Sequence, residues 1–194
     1  MHKVSQAYTW YRNGLREMFE HEEAELLDVV NDHDEVIDSI HRGDMMTLRD
    51  TPGRYLRVIE LFLQRPNDDI YLPRRSPHKK IFPGSLDHSA AGHMNRGESY
   101  EQALVREVHE ELGIETTPED FEFIHKFSPS EELFYFRQFY LLRTDQEPQL
   151  SPEHTEAVWL PPHELQAYIE HDVPAKQTIY EDIPILIAFL DELS

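Results

Sequence analysis

A chain of 194 residues, 39% of them hydrophobic, is long enough for one packed domain with a small appendage. Its formal net charge of −20, from 38 Asp+Glu against 18 Lys+Arg, argues against nucleic acid or an anionic membrane as a partner and sets a problem for any anionic substrate. With no cysteine anywhere, disulfides, thiolate catalysis and cysteine-held zinc are excluded. No apolar run approaches the length of a membrane span, and the opening MHKVSQAYTWYRNG lacks the apolar stretch of a signal peptide, so the expected compartment is the cytoplasm.

Val4, Tyr8, Tyr11, Leu15 and Phe19 recur at helical spacing, which predicts an amphipathic helix over residues 3–20. Leu26–Val30 and Glu35–Ile40 flank the polar run Asn31-Asp32-His33-Asp34 and predict a hairpin. Residues 1–50 are thus read as an appendage, and 51–194 as the main domain. There, strands are expected over Tyr55–Leu63 and Asp69–Pro73, separated by the turn-forming Arg65-Pro66-Asn67-Asp68. Further strands are expected over Phe121–Phe127, Leu133–Arg143 and His154–Leu160. Helices are expected from about His163 to Glu170 and over Ile183–Leu193. Strands on both sides of one central helix, with more helices outside, predict an α+β fold with a mixed sheet.

The central helix lies in the stretch GHMNRGESYEQALVREVHEELGI, Gly92 to Ile114. Ser99 is a good N-cap with Gln102 three residues on, the spacing of a capping box. Tyr100 to Leu112 contains neither Gly nor Pro, and Gly113 is placed to end the helix in the left-handed region. At about 100° per residue, Glu107, Glu110 and Glu111 share one side, while Leu104, Val105, Val108 and Leu112 gather on another. Three carboxylates so close repel one another unless a cation lies among them. Hard oxygen ligands on a rigid helix suit Mg²⁺ or Mn²⁺, which hold phosphate oxygens at the same time.

Gly92, Glu98, Arg106, Glu107, Val108, Glu110, Glu111, Gly113 and Ile114 stand at G-x5-E-x7-R-E-U-x-E-E-x-G-U, with U bulky and apolar. Nine such matches at one starting point have a chance on the order of 10⁻⁹ at ordinary residue usage. The stretch resembles the complete Nudix box. That resemblance implies an α/β/α sandwich around a mixed sheet, with the catalytic helix at about 99–112. It also implies hydrolysis of a diphosphate bond in a nucleoside diphosphate-linked small molecule, and a dimer is common among its members.

On that reading Glu107 and Glu111 are the principal metal ligands, with Glu110 a third ligand or working through water. The carbonyl of Gly92 completes the shell, as the resemblance implies. Arg106 is expected to pair with Glu98 and fix the loop of the box. Glu110, Glu131, Glu132 and Glu156 compete as the base that accepts a proton from water. Arg74 and Arg75 suit a salt bridge and a phosphate contact equally, since the planar guanidinium meets two oxygens at once. They and His93 are the candidate substrate contacts. Lys79 and Lys80 read as solvated loop charges, the twelve histidines as surface residues, and Tyr135, Phe136 and Tyr140 as core before base-stacking.

The early hairpin, the lead-in RRS-x-x-K-x-x-x-P-G and Gly92-His93 are similar to the isopentenyl-diphosphate isomerase branch of the family. An isomerase is therefore the rival enzyme. Those isomerases carry a cysteine where this chain has Ala91, and the histidine ligands expected near the start of their core are replaced by Leu56 and Arg57. A binder of nucleotide without catalysis is the third reading, which an intact set of glutamates disfavours.

Overall fold

The structure is a computed structural model that describes residues 24–79, 81–171 and 174–193. The helix expected over 3–20 lies outside the described residues. The elements run β1 (Leu26–Val30), β2 (Val36–His41), a 3-10 segment (Arg42–Asp50), β3 (Leu56–Gln64), β4 (Ile70–Arg75), β5 (Ala90–His93) and α1 (Tyr100–Leu112). They continue with a short 3-10 turn (Pro118–Asp120), β6 (Phe121–Phe127), β7 (Tyr135–Arg143), β8 (His154–Leu160), α2 (Pro162–His171) and α3 (Gln177–Glu192). The expected hairpin and strands are all present. β5 and the 3-10 segment after β2 were not expected, and α3 begins six residues earlier than read, because its Pro184 lies inside the helix rather than at its start.

β1 and β2 pair with each other, and the other six strands form a mixed sheet in the order β6-β7-β3-β4-β8 with β5 on β3. β3 and β7 run parallel along their whole length, Leu56 opposite Tyr135 through Gln64 opposite Arg143. β3 has two partners on its other side. Leu63 and Gln64 pair with β4, whereas Val58–Leu61 pair with β5. Where the two partners diverge, the buried Ser89 hydroxyl closes the gap, accepting from the Leu63 N–H at 2.8 Å and donating to the Tyr71 carbonyl at 2.6 Å.

Alternation along β3 sorts the interior into two layers, as the two-residue period of a strand requires. Ile59, Leu61 and Leu63 point to one side and pack with Leu104, Val108 and Leu112 of α1. Phe62, with Phe139 and Leu141 of β7, points to the other, against Leu165 and Ile169 of α2 and Ile179, Ile183 and Leu186 of α3. The result is helix, sheet, helices: an α/β/α sandwich. Phe136 and Tyr140 are buried, as expected of core aromatics, and Tyr135 is partly buried.

The hairpin is joined to this core. Leu27 and Val29 form a buried cluster with Leu48 and Leu56. In its turn Asp34, at φ 61°, accepts bonds from Arg57 and Lys126, and from the Tyr100 hydroxyl at 3.3 Å.

Candidate active site

α1 begins and ends as its sequence requires. The Ser99 side chain accepts from the Gln102 N–H at 3.3 Å, and the Gln102 side chain accepts from the Ser99 N–H at 2.9 Å. Gly113 closes the helix at φ 65°, its N–H bonded to the His109 carbonyl. Between these ends the acidic residues divide. Glu107 is 7% exposed and lies against Gly92 so closely that a methyl group on that glycine would sit 1.8 Å from Glu107 Oε1. Glu111, one turn on, is partly buried and accepts from the Ala91 N–H at 3.1 Å. Both acids thus face β5, the strand the sequence reading missed. Glu110 is exposed.

The loop of the box is held by one guanidinium. Arg106 donates to both oxygens of Glu98 at 2.7 and 2.9 Å, to the His93 carbonyl at 3.1 Å, to Glu107 at 2.7 Å and to Glu110 at 3.2 Å. Glu98 also accepts from the Asn95 N–H at 2.7 Å. From outside, the hairpin clamps the same loop: the Arg96 N–H donates to the Leu26 carbonyl at 2.7 Å and the Gly97 N–H to Asp28 at 2.9 Å.

Burial disfavours the charged form of both inward-facing acids. It raises the Glu107 carboxyl to about 7 against the pull of Arg106. Burial and the nearby charges of Glu107, Glu153 and Asp87 hold Glu111 well above the usual carboxylate range. Two hard carboxylates, short of positive charge and packed on a glycine cradle, fit a divalent cation.

The two lead-in arginines form ion pairs. Arg74 meets Glu156, opposite it across β4 and β8, at 2.6 Å, and the Gly84 carbonyl at 3.2 Å. Arg75 meets Asp87 and, at 3.2 Å, the Ile81 carbonyl. Lys79 is no solvated charge: it pairs with Glu153 at 2.8 Å and its side chain is largely covered. Lys80 lies outside the described residues. Among the rival bases, Glu156 is engaged by Arg74, and Glu131 and Glu132 lie exposed in the loop before β7. His93 packs its ring edge-on near Tyr135, centroids 6.4 Å apart. Burial, with the charges of Arg42 and Lys176, lowers it to about 3, so it is neutral.

A second set of charges lies across the sheet, and the sequence reading did not find it. Arg137 of β7 donates to Glu60 of β3 at 2.7 Å, to both oxygens of Asp182 of α3 at 3.1 and 3.0 Å, and to Glu181 at 2.7 Å. His88 bonds Asp182 at 2.8 Å and is fully buried, which corrects the reading of the histidines as surface residues; His154 is buried too. Burial opposes charge on His88, yet Glu60 and the bonds to Asp182 and Asp87 outweigh it and raise the ring to about 9. Glu60, His88 and Asp182 bring one possible metal-ligand atom each within 4.8 Å, but Arg137 already supplies cationic hydrogen bonds there. The available signal was a charge inside each apolar run: Glu60 in LRVIELFLQ, Arg137 in YFRQFYLLR, Asp182 in TIYEDIPIL.

Residues 54–182 match the model of the NUDIX domain. The chain belongs to the Nudix hydrolases. It is 38% identical to a Nudix hydrolase of Deinococcus radiodurans over 159 residues, covering 81% of this chain and 91% of that one. It is 31% identical to an uncharacterised Nudix hydrolase of Nostoc sp. over 170 residues, or 86% and 98% of the two chains. The crystal structure of DR0079 from Deinococcus radiodurans superposes with a TM-score of 0.69 at 35% identity, covering 82% of this chain and 98% of that one. Likeness to isopentenyl-diphosphate isomerases is partial, as with the Corynebacterium diphtheriae enzyme at 37% identity over 34% of each chain. Membership carries with it the general activity of the family, hydrolysis of nucleoside diphosphate-linked compounds. Among the described residues no helix is long and apolar enough to cross a membrane.

Proposed function

We propose that this Nudix hydrolase cleaves the diphosphate bond of a nucleoside diphosphate-linked small molecule by attack of water on phosphorus, with Mg²⁺ or Mn²⁺ held by Glu107 and Glu111. The observation that carries this reading is the pair of inward-facing acids on the Gly92 cradle, whose neighbouring cation, Arg106, is shared among Glu98, Glu107 and Glu110. Gly92 and Glu110 would complete the set of ligands. When bound, the metal supplies charge for the phosphate oxygens and a more acidic water.

The chain's own groups do the rest. Arg106 and Glu98 fix the loop so that Glu107 is presented in one orientation. Glu110, exposed at the same end of the helix, is the acid of the box open to accept a proton from water. Arg75, paired with Asp87, and the neutral His93 are the proposed substrate contacts, with Arg74, which is paired with Glu156, a further candidate. ADP-ribose enters as a candidate because a Nudix domain of Shewanella oneidensis NrtR, alike in fold, has been crystallised with it. Isomerase chemistry lacks its thiol, since Ala91 takes that place and the chain holds no cysteine.

The test is incubation with Mg²⁺ or Mn²⁺ and a panel of diphosphate compounds, including ADP-ribose and nucleotide sugars, with products identified by mass. Cleavage within the diphosphate, lost on chelation, is expected. An intact panel with either metal would overturn the proposal.

A further inference from the structure

An anion approaching so acidic a chain depends on the cations near the site, and most of these are engaged by acids. Arg106 serves three carboxylates, Arg74 serves Glu156, and Arg137 serves Glu60, Asp182 and Glu181. Asp87 is different. Its buried carboxylate is met by Arg75, by the Nζ of Lys176 at 3.2 Å, and by His88, which also serves Asp182 and Glu60. Arg75 alone keeps it paired, so Lys176 can leave Asp87 without stranding a buried charge.

Backbone pairing sets the position of Lys176. The Leu86 N–H donates to the Pro174 carbonyl and the Lys176 N–H to the Leu86 carbonyl, both at 3.0 Å, and Leu86 pairs in parallel with Ala175. This stitch fixes Lys176 beside Asp87 before α3 begins. Asp87 in turn opens the run that leads through Ala91, holder of Glu111, to Gly92, the cradle of Glu107. Most of the Lys176 side chain is covered, with 18% of it exposed. Its charge is felt at both His93 and Tyr135.

We propose that Lys176, held with Arg75 on Asp87, is a substrate-positioning residue: its ammonium takes a phosphate oxygen of the diphosphate while Arg75 stays on Asp87. This deepens the reading above and rests on it. An ammonium is a compact charge with three rotatable donors, suited to a phosphate that must enter and leave. The contact forms on binding and persists through the reaction, so its loss acts on KM rather than kcat.

Calorimetric titration of inorganic pyrophosphate in EDTA, so without metal, tests the idea on wild type, Lys176→Met, Lys176→Arg and Glu111→Gln. Lys176→Met should weaken binding about tenfold, Lys176→Arg should restore it to within about twofold, and Glu111→Gln should not weaken it. With a cleaved substrate, Lys176→Met should raise KM about tenfold and leave kcat within about twofold. Three results would overturn the proposal: pyrophosphate affinity unchanged in Lys176→Met, no metal-free pyrophosphate binding by wild type, or a loss that Lys176→Arg fails to restore and that comes with a lower Tm. Lys176-dependent pyrophosphate binding in a protein that cleaves no diphosphate would sink the reaction and spare this inference. Glu111-dependent turnover with an affinity indifferent to Lys176 would do the reverse.

Discussion

The two faces of the sheet hold buried acids under opposite conditions. Across from α1, Glu60 and Asp182 are matched by Arg137 and His88; burial still raises Asp182, whereas on Glu60 burial is outweighed by the charges of His88 and Arg137, which hold it below the usual carboxylate range. Under α1, Glu107 has a share in the Arg106 guanidinium, which also serves Glu98 and Glu110, while Glu111 accepts from the Ala91 N–H, and both acids are pushed upward. On the reading proposed above, the same side chain is a strut where its counter-charge is built in and a metal ligand where it is not. That contrast, rather than the number of acids, separates the two clusters.

The largest effect should come from removing the built-in counter-charge. Arg137→Leu leaves Glu60 and Asp182 buried without a full partner and should cost about 3–5 kcal/mol of stability in urea denaturation. A loss below about 1 kcal/mol would mean that water reaches the cluster and the contrast is false. Next comes pH. His88 is raised from 6.5 to about 9 in the folded protein, so the stability it lends is complete below the unfolded value and disappears as pH rises through the folded one. At about 1.4 kcal/mol per pH unit, unfolding free energy should fall by up to ~3 kcal/mol between pH 6 and about 9.5, and the fall should be absent in His88→Gln.

On the other face, Glu111→Gln should reduce turnover a hundredfold or more, about 2.7 kcal/mol, while far-ultraviolet circular dichroism shows the fold intact. Unchanged kinetics would remove the metal assignment. The smallest effect is expected at the rim: Glu156 is 65% exposed, so Glu156→Gln should move stability by less than about 0.5 kcal/mol and leave turnover near wild type. A large loss of turnover there would shift the proton-accepting role from Glu110 to Glu156.

These two faces were unequally legible in the sequence. The helix of the box could be read to the residue, because Ser99, Gln102 and Gly113 dictate its ends through local bonds. The long strands were legible for the same reason, their apolar runs being local. β5 was not, since Ala90-Ala91-Gly92-His93 has no strand pattern of its own and is extended because β3 pairs with it. The compensated cluster was hidden more deeply. Glu60, His88, Arg137 and Asp182 lie on four segments separated by 28 to 122 positions, and only the pairing of β3 with β7 and the docking of α3 bring them together. Lys176 was invisible for a like reason, as its place depends on the stitch at Leu86.

The clamp of the hairpin on the loop of the box has a practical consequence. The span that matches the family begins at residue 54, after both hairpin strands. A shortened protein cut at that boundary would keep every acid of α1, yet the Arg96 and Gly97 amides would lose the acceptors supplied by Leu26 and Asp28. Trimming to the recognisable motif would thus strip two bonds from the peptide that carries Glu98 and uncover Leu56, so slower turnover is expected together with lower stability.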